Sequence, residues 1–518
     1  MSTGKFIFKA TLLIAFFNLM SKVLGLARES VIARLFGASV YTDAYQTALK
    51  MPNMLFFIVS GALATVVVPV FTEHAARGEK GEAWKIFSTV TVAVVLFYFA
   101  AAVTGMAAAP LLVKLVAPGF EGTRELLTVE LARILLPLMI FAGLASLFSN
   151  LLNASNIFGL PAFSNSVNNI FIIASAFTLG KIYGIHGLAL GTVAAMAAMA
   201  LVQLPALCKK GFGLRWPLEP GHPGVKKVCS LALPSLLSLS VNQANLYVVG
   251  VLASWLPVGS ISALGYADKL IQFPVSLFVL ALGTAVFPTL SMRAAEGDRE
   301  ALTGALLKSL KAVIITMVPA SVGLMSLSHP IVKLIYKGGA FDQRAVEMTA
   351  AALLFYSVGL VGQAAGILLT RGFYSLQDTA TPLKIGAATV LVNLALSLAL
   401  IGYLRHGGLA LASSLANLFY MALLMRCLGQ RVPGLRRGGL LKFTLAVLAA
   451  SGLMAAASCA VSRALAHLAG GLAGLAVQVS LAIAAGVVVY AASIAVLGGK
   501  EASFFWRSAR EVLTGRKE

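Results

Sequence analysis

Gly187-Leu188-Ala189-Leu190-Gly191-Thr192 lies inside an uncharged run, residues 186–207, and returns 221 residues later as Gly408-Leu409-Ala410-Leu411-Ala412-Ser413. Phe120 and Pro161 recur as Phe341 and Pro382 at the same offset. Pro69-Val70-Phe71-Thr72, followed by Ala75-Ala76 and Gly78-Glu79, recurs 219 residues later as Pro288-Thr289-Leu290-Ser291, followed by Ala294-Ala295 and Gly297-Asp298. Three patterns at one nearly constant offset mark a duplicated unit of about 220 residues.

A helix needs roughly 20 apolar residues to cross the hydrocarbon core of a bilayer. Working outward from the repeat, runs of that length fill the chain at 9–36, 42–71, 86–113, 127–154, 160–180, 186–207, 229–255, 261–291, 302–328, 345–370, 382–403, 407–427, 440–465 and 471–498. The expected fold is therefore an all-α polytopic membrane protein of about fourteen transmembrane helices. Spans 1–6 and 7–12 form two copies of a six-helix unit, and an even number of spans keeps both copies in one orientation. Parallel repeats of this kind are related by an axis along the membrane normal, and transporters built so hold substrate near the repeat interface; duplication for packing alone is the alternative. The expected organisation is an N-terminal lobe at 1–210, a C-terminal lobe at 211–430, and a helix pair with a basic tail at 431–518.

Composition agrees with a life in lipid. The 518 residues are 59% hydrophobic and 11% charged, with a mean hydropathy of +0.90, and a soluble chain could not cover that much apolar surface with polar groups. The net charge of +21 does not point to nucleic acid, because the basic residues follow topology. They gather in even-numbered connections, chiefly Lys209, Lys210, Arg215, Lys226 and Lys227, then Arg426, Arg431, Arg436, Arg437 and Lys442. That bias places both termini in the cytoplasm and favours anionic phospholipid as a neighbour. The run from Phe6 leads into charged sequence without a small-residue cleavage site and reads as a retained first span. Cys208, Cys229, Cys427 and Cys459 have no paired C-x-x-C spacing, so neither a disulfide framework nor a zinc site is indicated, and no cofactor is expected. A membrane enzyme acting on lipid pyrophosphates would need acidic metal ligands or a histidine nucleophile. The six histidines are scattered near loops, and no D-x-D pair or P-loop is present.

The first two spans break the apolar rule. Lys22, Arg28, Glu29, Arg34, Asp43 and Lys50 fall in or at the edges of segments otherwise long enough to cross, and span 8 adds Asp268 and Lys269 beside Pro274. A charge near a helix centre costs roughly 2.5–3.5 kcal/mol on insertion scales, so several of them together imply a watery interior, mutual pairing, or both. Ser21 and Arg28 are seven apart and share a helical face, as do Lys22 and Glu29, with Gly25 between them able to relax the helix. Arg34, Asp43 and Lys50 lie near span ends, where snorkelling or loop capping is the plainer reading. Lys22, Arg28 and Lys269 lie deeper and suit a cavity that meets phosphate or pyrophosphate through charge-assisted hydrogen bonds. Pro52-Asn53, Asn165, Asn168, Asn169, Pro234, Asn242, Asn245 and Asn393 punctuate the spans, and polar groups in bundles mostly bond helix to helix.

Ser21-Lys22-Val23-Leu24-Gly25-Leu26-Ala27-Arg28-Glu29, with Thr42-Asp43-Ala44-Tyr45 and Lys50-Met51-Pro52-Asn53, resembles the N-terminal fingerprint of the bacterial lipid II flippases, the MurJ (MviN) family. Gly372-Phe373-Tyr374-Ser375-Leu376-Gln377-Asp378 with Thr381-Pro382-Leu383-Lys384, and Tyr266-Ala267-Asp268-Lys269, resemble further blocks of that family. The resemblance covers essentially the whole chain. It implies a transporter of the multidrug/oligosaccharidyl-lipid/polysaccharide (MOP) exporter superfamily. Such a protein moves undecaprenyl-pyrophosphate-linked peptidoglycan precursor, lipid II, from the cytoplasmic to the periplasmic leaflet of the bacterial inner membrane by alternating access. It also implies cavity cations at Lys22, Arg28 and Lys269, with Glu29, Asp43 and Asp268 balancing charge or gating, and a cavity lining that includes Asn53, Phe56 and Gln272. The partners implied are lipid II, phospholipid and the cell-wall synthesis machinery, and the chain is expected to act as a monomer. Lys22 and Lys269 stand where the family commonly has Arg, Phe56 where a second-span Arg is expected, and Gln272 where some members have Glu. Residues 229–255 hold no Asp or Glu, so the sodium site of some members is not supported. An exporter of another polyprenyl-pyrophosphate-linked oligosaccharide is the alternative that Phe56 and the two lysines favour.

Overall fold

The computed structural model describes residues 3–211, 213, 221–223, 247–432, 434–437, 439–467 and 471–497. Most of expected span 7, with Pro234, Asn242, Asn245 and Cys229, lies outside the described residues, as do Arg215, Lys226 and Lys227. Among the described residues the regular elements are helices, and the isolated bridge Gly338↔Phe341 closes a single turn.

The first half runs α1 (Thr3–Phe36), α2 (Val40–Ala76), α3 (Lys80–Ala107), α4 (Ala109–Val116), α5 (Thr123–Leu135), α6 (Leu138–Ala154), α7 (Gly159–Phe177), α8 (Leu179–Leu201), α9 (Leu204–Lys209) and the helical stretch α10 at 247–254. The second half runs α11 (Ser260–Pro274), a π-turn (Val275–Val279), α12 (Leu280–Ala295), α13 (Arg299–Ser326), α14 (Ser328–Tyr336), α15 (Gln343–Val358) and α16 (Leu360–Ser375). It continues through α17 (Ala380–Leu404), α18 (His406–Arg431), α19 (Gly434–Arg437), α20 (Leu440–Ala464) and α21 (Leu472–Leu497). Among the described residues seven helices are long and apolar enough to cross a membrane, or nine when the bent pairs α5–α6 and α15–α16 each count as one span. The charge-bearing α1 and α2 are not among them. Thirteen of the fourteen expected spans nevertheless coincide with a long helix or a helix pair, the seventh being described only at 247–254.

The duplication is visible in the backbone as well as in the letters. Non-helical turns with positive φ recur at Gly78 (83°) and Gly297 (71°), at Asn156 (59°) and Gln377 (58°), and at Gly184 (59°) and Arg405 (50°). The offsets of 219 and 221 are those of the sequence repeat. The bends recur too, 41° between α5 and α6 and 44° between α15 and α16. Pro137 sits at the first break and Gly359 at the second, and either residue weakens a helix at that point. The short helices α4 and α14, which hydropathy alone does not separate from their neighbours, also occupy equivalent places.

Two compact units emerge from the packing: Met1–Ser262 with Gly338–Phe341, and Ala263–Lys337 with Asp342–Glu518. In the first, α1 packs along α7, α7 along α8, and α2 across α5 and α6. Its core includes Trp84, Phe87, Tyr98, Leu131, Leu135, Met139 and Leu151. Residues 247–262 belong to it: the Tyr247 hydroxyl donates to the Lys50 carbonyl at 2.9 Å, and the Gly119 amide donates to Ser254 Oγ at 2.9 Å. In the second unit, α18 packs against α15, α16 and α17, and α13 lies against α16 and α20. The final pair is joined by Gln478, whose amide donates to the Ser462 carbonyl at 2.7 Å, and is fixed to α13 by the Tyr490 hydroxyl on the Ile315 carbonyl at 2.7 Å. Asp298 and Asp342 accept from the amides of Ala301 and Ala345, satisfying orphan donors where α13 and α15 begin.

Candidate functional site

Arg28 sits in α1 with its side chain 22% exposed, so its charge needs partners and finds two. Nη2 pairs with Glu29 Oε1 at 2.6 Å, and Nη1 donates to Asn169 Oδ1 on α7 at 3.0 Å. The Asn169 amide in turn donates to the Ser21 carbonyl at 3.1 Å and to the Asn165 carbonyl at 3.1 Å, and reaches Ser21 Oγ at 3.4 Å. The seven-residue spacing of Ser21 and Arg28 thus puts both on one neighbouring side chain. Gly25 lies midway between them and faces Asn169; a Cβ there would lie 3.9 Å from the Asn169 amide, an ordinary contact, so the approach of α7 does not depend on glycine. Glu29 is buried, and the pair offsets a desolvation cost that either charge alone would carry in full.

Lys22, one turn and a half before Arg28, is exposed, and so is Lys269 on α11. Asp268 is half-buried beside it and accepts from the Gln272 amide at 3.4 Å. Asn53 and Phe56 are half-buried on α2, the Phe56 ring lying 5.3 Å from that of Phe57 and tilted 54° to it. Arg28 and Glu29 are therefore brought together, as are Asp268 and Gln272, each group within its own unit.

Asp43 has a different setting. It is fully buried at the start of α2 and pairs with Arg124 of α5 at 2.7 Å. Its oxygens also accept from the Gly259 amide at 2.7 Å, the Ser262 amide at 2.8 Å and Ser262 Oγ at 2.5 Å. Gly259 and Ser262 frame the first turn of α11, where amides lack partners and the dipole favours a carboxylate. Asp43 thus caps a helix remote in sequence, and Thr42 assists by bonding Ser262 Oγ at 2.8 Å. Gly259 must be glycine: its φ is +91°, and a Cβ would come within 2.6 Å of the Ala38 carbonyl oxygen. Arg124 is held further by the Leu256 carbonyl at 3.3 Å and stacks 3.8 Å over the Phe120 ring. Nearby, the Ala340 amide donates to the Arg34 carbonyl at 2.8 Å. We refer to this assembly as the staple.

Arg124, Ser262 and Gly259 were invisible to a reading based on charges inside spans, because Arg124 lies in a connection and the other two carry no charge. The glycine followed by Ser260 and Ser262, at the start of an apolar run, was the available signal. In the second unit, Asp378 in the turn before α17 pairs with Arg431 at 2.5 Å and accepts from the Thr381 amide at 3.0 Å. Burial alone would raise the Asp378 carboxyl. The Thr381 hydrogen bonds and the Arg431 guanidinium outweigh it and hold the group below the usual carboxylate range.

A duplicated all-helical unit carrying paired charges inside its membrane helices has the architecture of a membrane transporter. The sequence model of the family described as "Lipid II flippase MurJ" matches residues 32–492. Lipid II flippase MurJ of Burkholderia cenocepacia is 33% identical over 444 residues, 83% of this chain and 86% of that protein. The probable lipid II flippase MurJ of Vibrio cholerae is 31% identical, over 82% of this chain and 83% of its own length. The chain belongs to the lipid II flippase MurJ family. Among solved structures it is similar to a lipid II flippase MurJ in an inward closed conformation, with a TM-score of 0.78, 25% identity, and coverage of 96% of this chain and 99% of the other. An inward-facing multidrug resistance MATE family transporter of the MOP superfamily shares the fold, with a TM-score of 0.70, 15% identity, and coverage of 82% and 99%.

Proposed function

We propose that this chain moves lipid II from the cytoplasmic to the periplasmic leaflet of a bacterial inner membrane by alternating access of two lobes, residues 1–210 and 211–430. The cations Lys22, Arg28 and Lys269 meet the diphosphate, Glu29 and Asp268 balance them while no substrate is bound, and residues 431–518 add the final helix pair. The observation that carries this reading is Arg28, a cation kept inside α1 by a carboxylate and an amide. A guanidinium presents five N–H donors, and the contacts to Asn169 and Glu29 leave others for phosphate oxygens. Lys22 and Lys269, exposed and strongly hydrated, act as mobile point charges.

The staple suits a gating role for Asp43, exerted within the first compact unit on the turn that leads into α11. With both termini in the cytoplasm, the start of α2 faces the periplasm, and Asp43 ties that end of α2 and α5 to the first turn of α11. Loosening the turn that leads into α11 then requires the Asp43 carboxylate to give up the two backbone amides and Ser262 Oγ, while its pair with Arg124 stays within the α2–α5 packing. A membrane potential is a sufficient energy source, since each charge moved across the field is worth roughly 2.3 kcal/mol per 100 mV. The protein works as a monomer among anionic phospholipids, with the cell-wall synthesis machinery receiving its product.

Phe56 and the two lysines favour a second reading, an exporter of another polyprenyl-diphosphate-linked oligosaccharide. The test is reconstitution in liposomes with fluorescent lipid II in both leaflets and a membrane-impermeant quencher or modifying enzyme outside. Lipid II crossing that needs the protein and is lost in Arg28→Ala supports the proposal. Crossing of other polyprenyl-diphosphate sugars without lipid II would favour the second reading.

A further inference from the structure

The contacts of Asn169 exceed what helix packing requires. It is 6% exposed, and its two functional ends face different groups: the carbonyl oxygen receives Arg28 Nη1 at 3.0 Å, while the amide nitrogen binds the Ser21 and Asn165 carbonyls, both at 3.1 Å. The orientation is chemically fixed. Carbonyl oxygens can only accept and a guanidinium can only donate, so an amide flip would set donor against donor and acceptor against acceptor at once. Ser21 lies two helical turns before Arg28, so the Ser21 contact anchors the backbone of α1 while the Arg28 contact sets the direction of the guanidinium.

We infer that Asn169 is a positioning residue for substrate diphosphate: anchored on α1 and α7, it holds the Arg28 guanidinium in one orientation so that its remaining N–H donors face an anion as a preformed fork. This rests on the assignment of Arg28 to the diphosphate. Arginine carries a large side-chain rotamer entropy, and a group already ordered by a neutral acceptor gives up less of it when the anion arrives. Glu29 alone does not serve. It is a charged competitor for the same donors, and its hold on Nη2 weakens as phosphate displaces it. Asn169 carries no charge to oppose the ligand, so its contact persists in the bound state.

The test is a double-mutant cycle on the full-length protein in detergent, with undecaprenyl pyrophosphate as the titrant and undecaprenol as the uncharged control. Asn169→Leu should weaken diphosphate binding about tenfold, the scale of one hydrogen bond to a charged group, and leave undecaprenol binding unchanged. In an Arg28→Ala background the same substitution should change diphosphate affinity less than twofold, since Asn169 acts through the guanidinium. Asn169→Ser is the companion variant, small enough to be tolerated in a packed helix and too short to reach Arg28, and should behave alike. An equal loss with and without Arg28, or no loss beside Arg28 in a variant of unchanged melting temperature, overturns the inference. If Arg28→Ala itself leaves diphosphate affinity unchanged, the assignment of Arg28 fails and the inference falls with it. A normal Arg28→Ala loss with a silent Asn169 removes the inference alone.

Discussion

Replacing Asp43 with alanine should open the staple. The carboxylate is fully buried and receives Arg124 at 2.7 Å, the amides of Gly259 and Ser262 at 2.7 and 2.8 Å, and Ser262 Oγ at 2.5 Å. Removing it leaves a guanidinium only 11% exposed without its counter-ion, and two helix-start amides without acceptors. Breaking a buried pair on one side costs roughly 3–5 kcal/mol, and each 1.4 kcal/mol is a factor of about ten in an equilibrium. The open fraction at this end should therefore rise about a hundredfold or more, until it dominates. The probe is a cysteine at Ser260, a fully buried position beside Gly259, in a chain whose four native cysteines have been replaced. Labelling by a membrane-impermeant maleimide from the periplasmic side should accelerate by that factor. Asp43→Asn, which keeps one acceptor oxygen and loses the charge, should fall between the parent and the alanine variant. A labelling rate within twofold of the parent, with an unchanged melting temperature, would refute the reasoning.

Gly259→Ala should loosen the same end by about 1–3 kcal/mol, from its positive φ and the approach to Ala38. Gly78→Ala, whose φ is also positive but which has nothing within 4 Å of a Cβ, should cost less; the cysteine assay and melting temperatures compare them. Lys22→Gln and Lys269→Gln remove exposed cations, so both should slow lipid II transport in liposomes while shifting the melting temperature by no more than about a degree, surface changes being worth within about 0.5 kcal/mol. The Asp378–Arg431 clasp should depend on acid in one direction. With the Asp378 carboxyl held below its unfolded value, its stabilisation is complete above the ordinary carboxylate range and is lost as pH falls through the lowered pKa. Proteolysis of the turn at 376–379 by an acid-active protease should therefore rise only at the acid end, and in Asp378→Asn it should be high throughout.

Much of the fold was legible because bilayer thickness imposes its own length on apolar runs, and because a duplicated unit leaves matched letters such as Gly187–Thr192 and Gly408–Ser413. What hydropathy hides is where a span bends. The sequence around Pro137 or Gly359 stays apolar through the break, so α5–α6 and α15–α16 read as continuous. The short helix α4 is likewise swallowed by the run that begins in α3. Of the candidate site, Arg28 was legible because a cation inside a span has to be explained by a partner or by water. Its setting was only half legible: that Ser21 shares its helical face followed from spacing, while Asn169, which bonds to both, looked like any packing amide until its two ends were resolved. Asp43 was recognisable as a charge near a span end, but its capping of α11 depends on backbone amides 216 and 219 residues away, and no local pattern encodes that contact.

The most direct test of the central claim is rescue of a bacterial strain depleted of its own lipid II flippase, with membrane abundance measured for each variant. The account predicts that the wild-type chain restores growth and cell shape, that Arg28→Ala does not at equal abundance, and that Arg437→Ala does. A stably inserted wild-type chain that fails to rescue, or an Arg28→Ala variant that rescues fully, would contradict it.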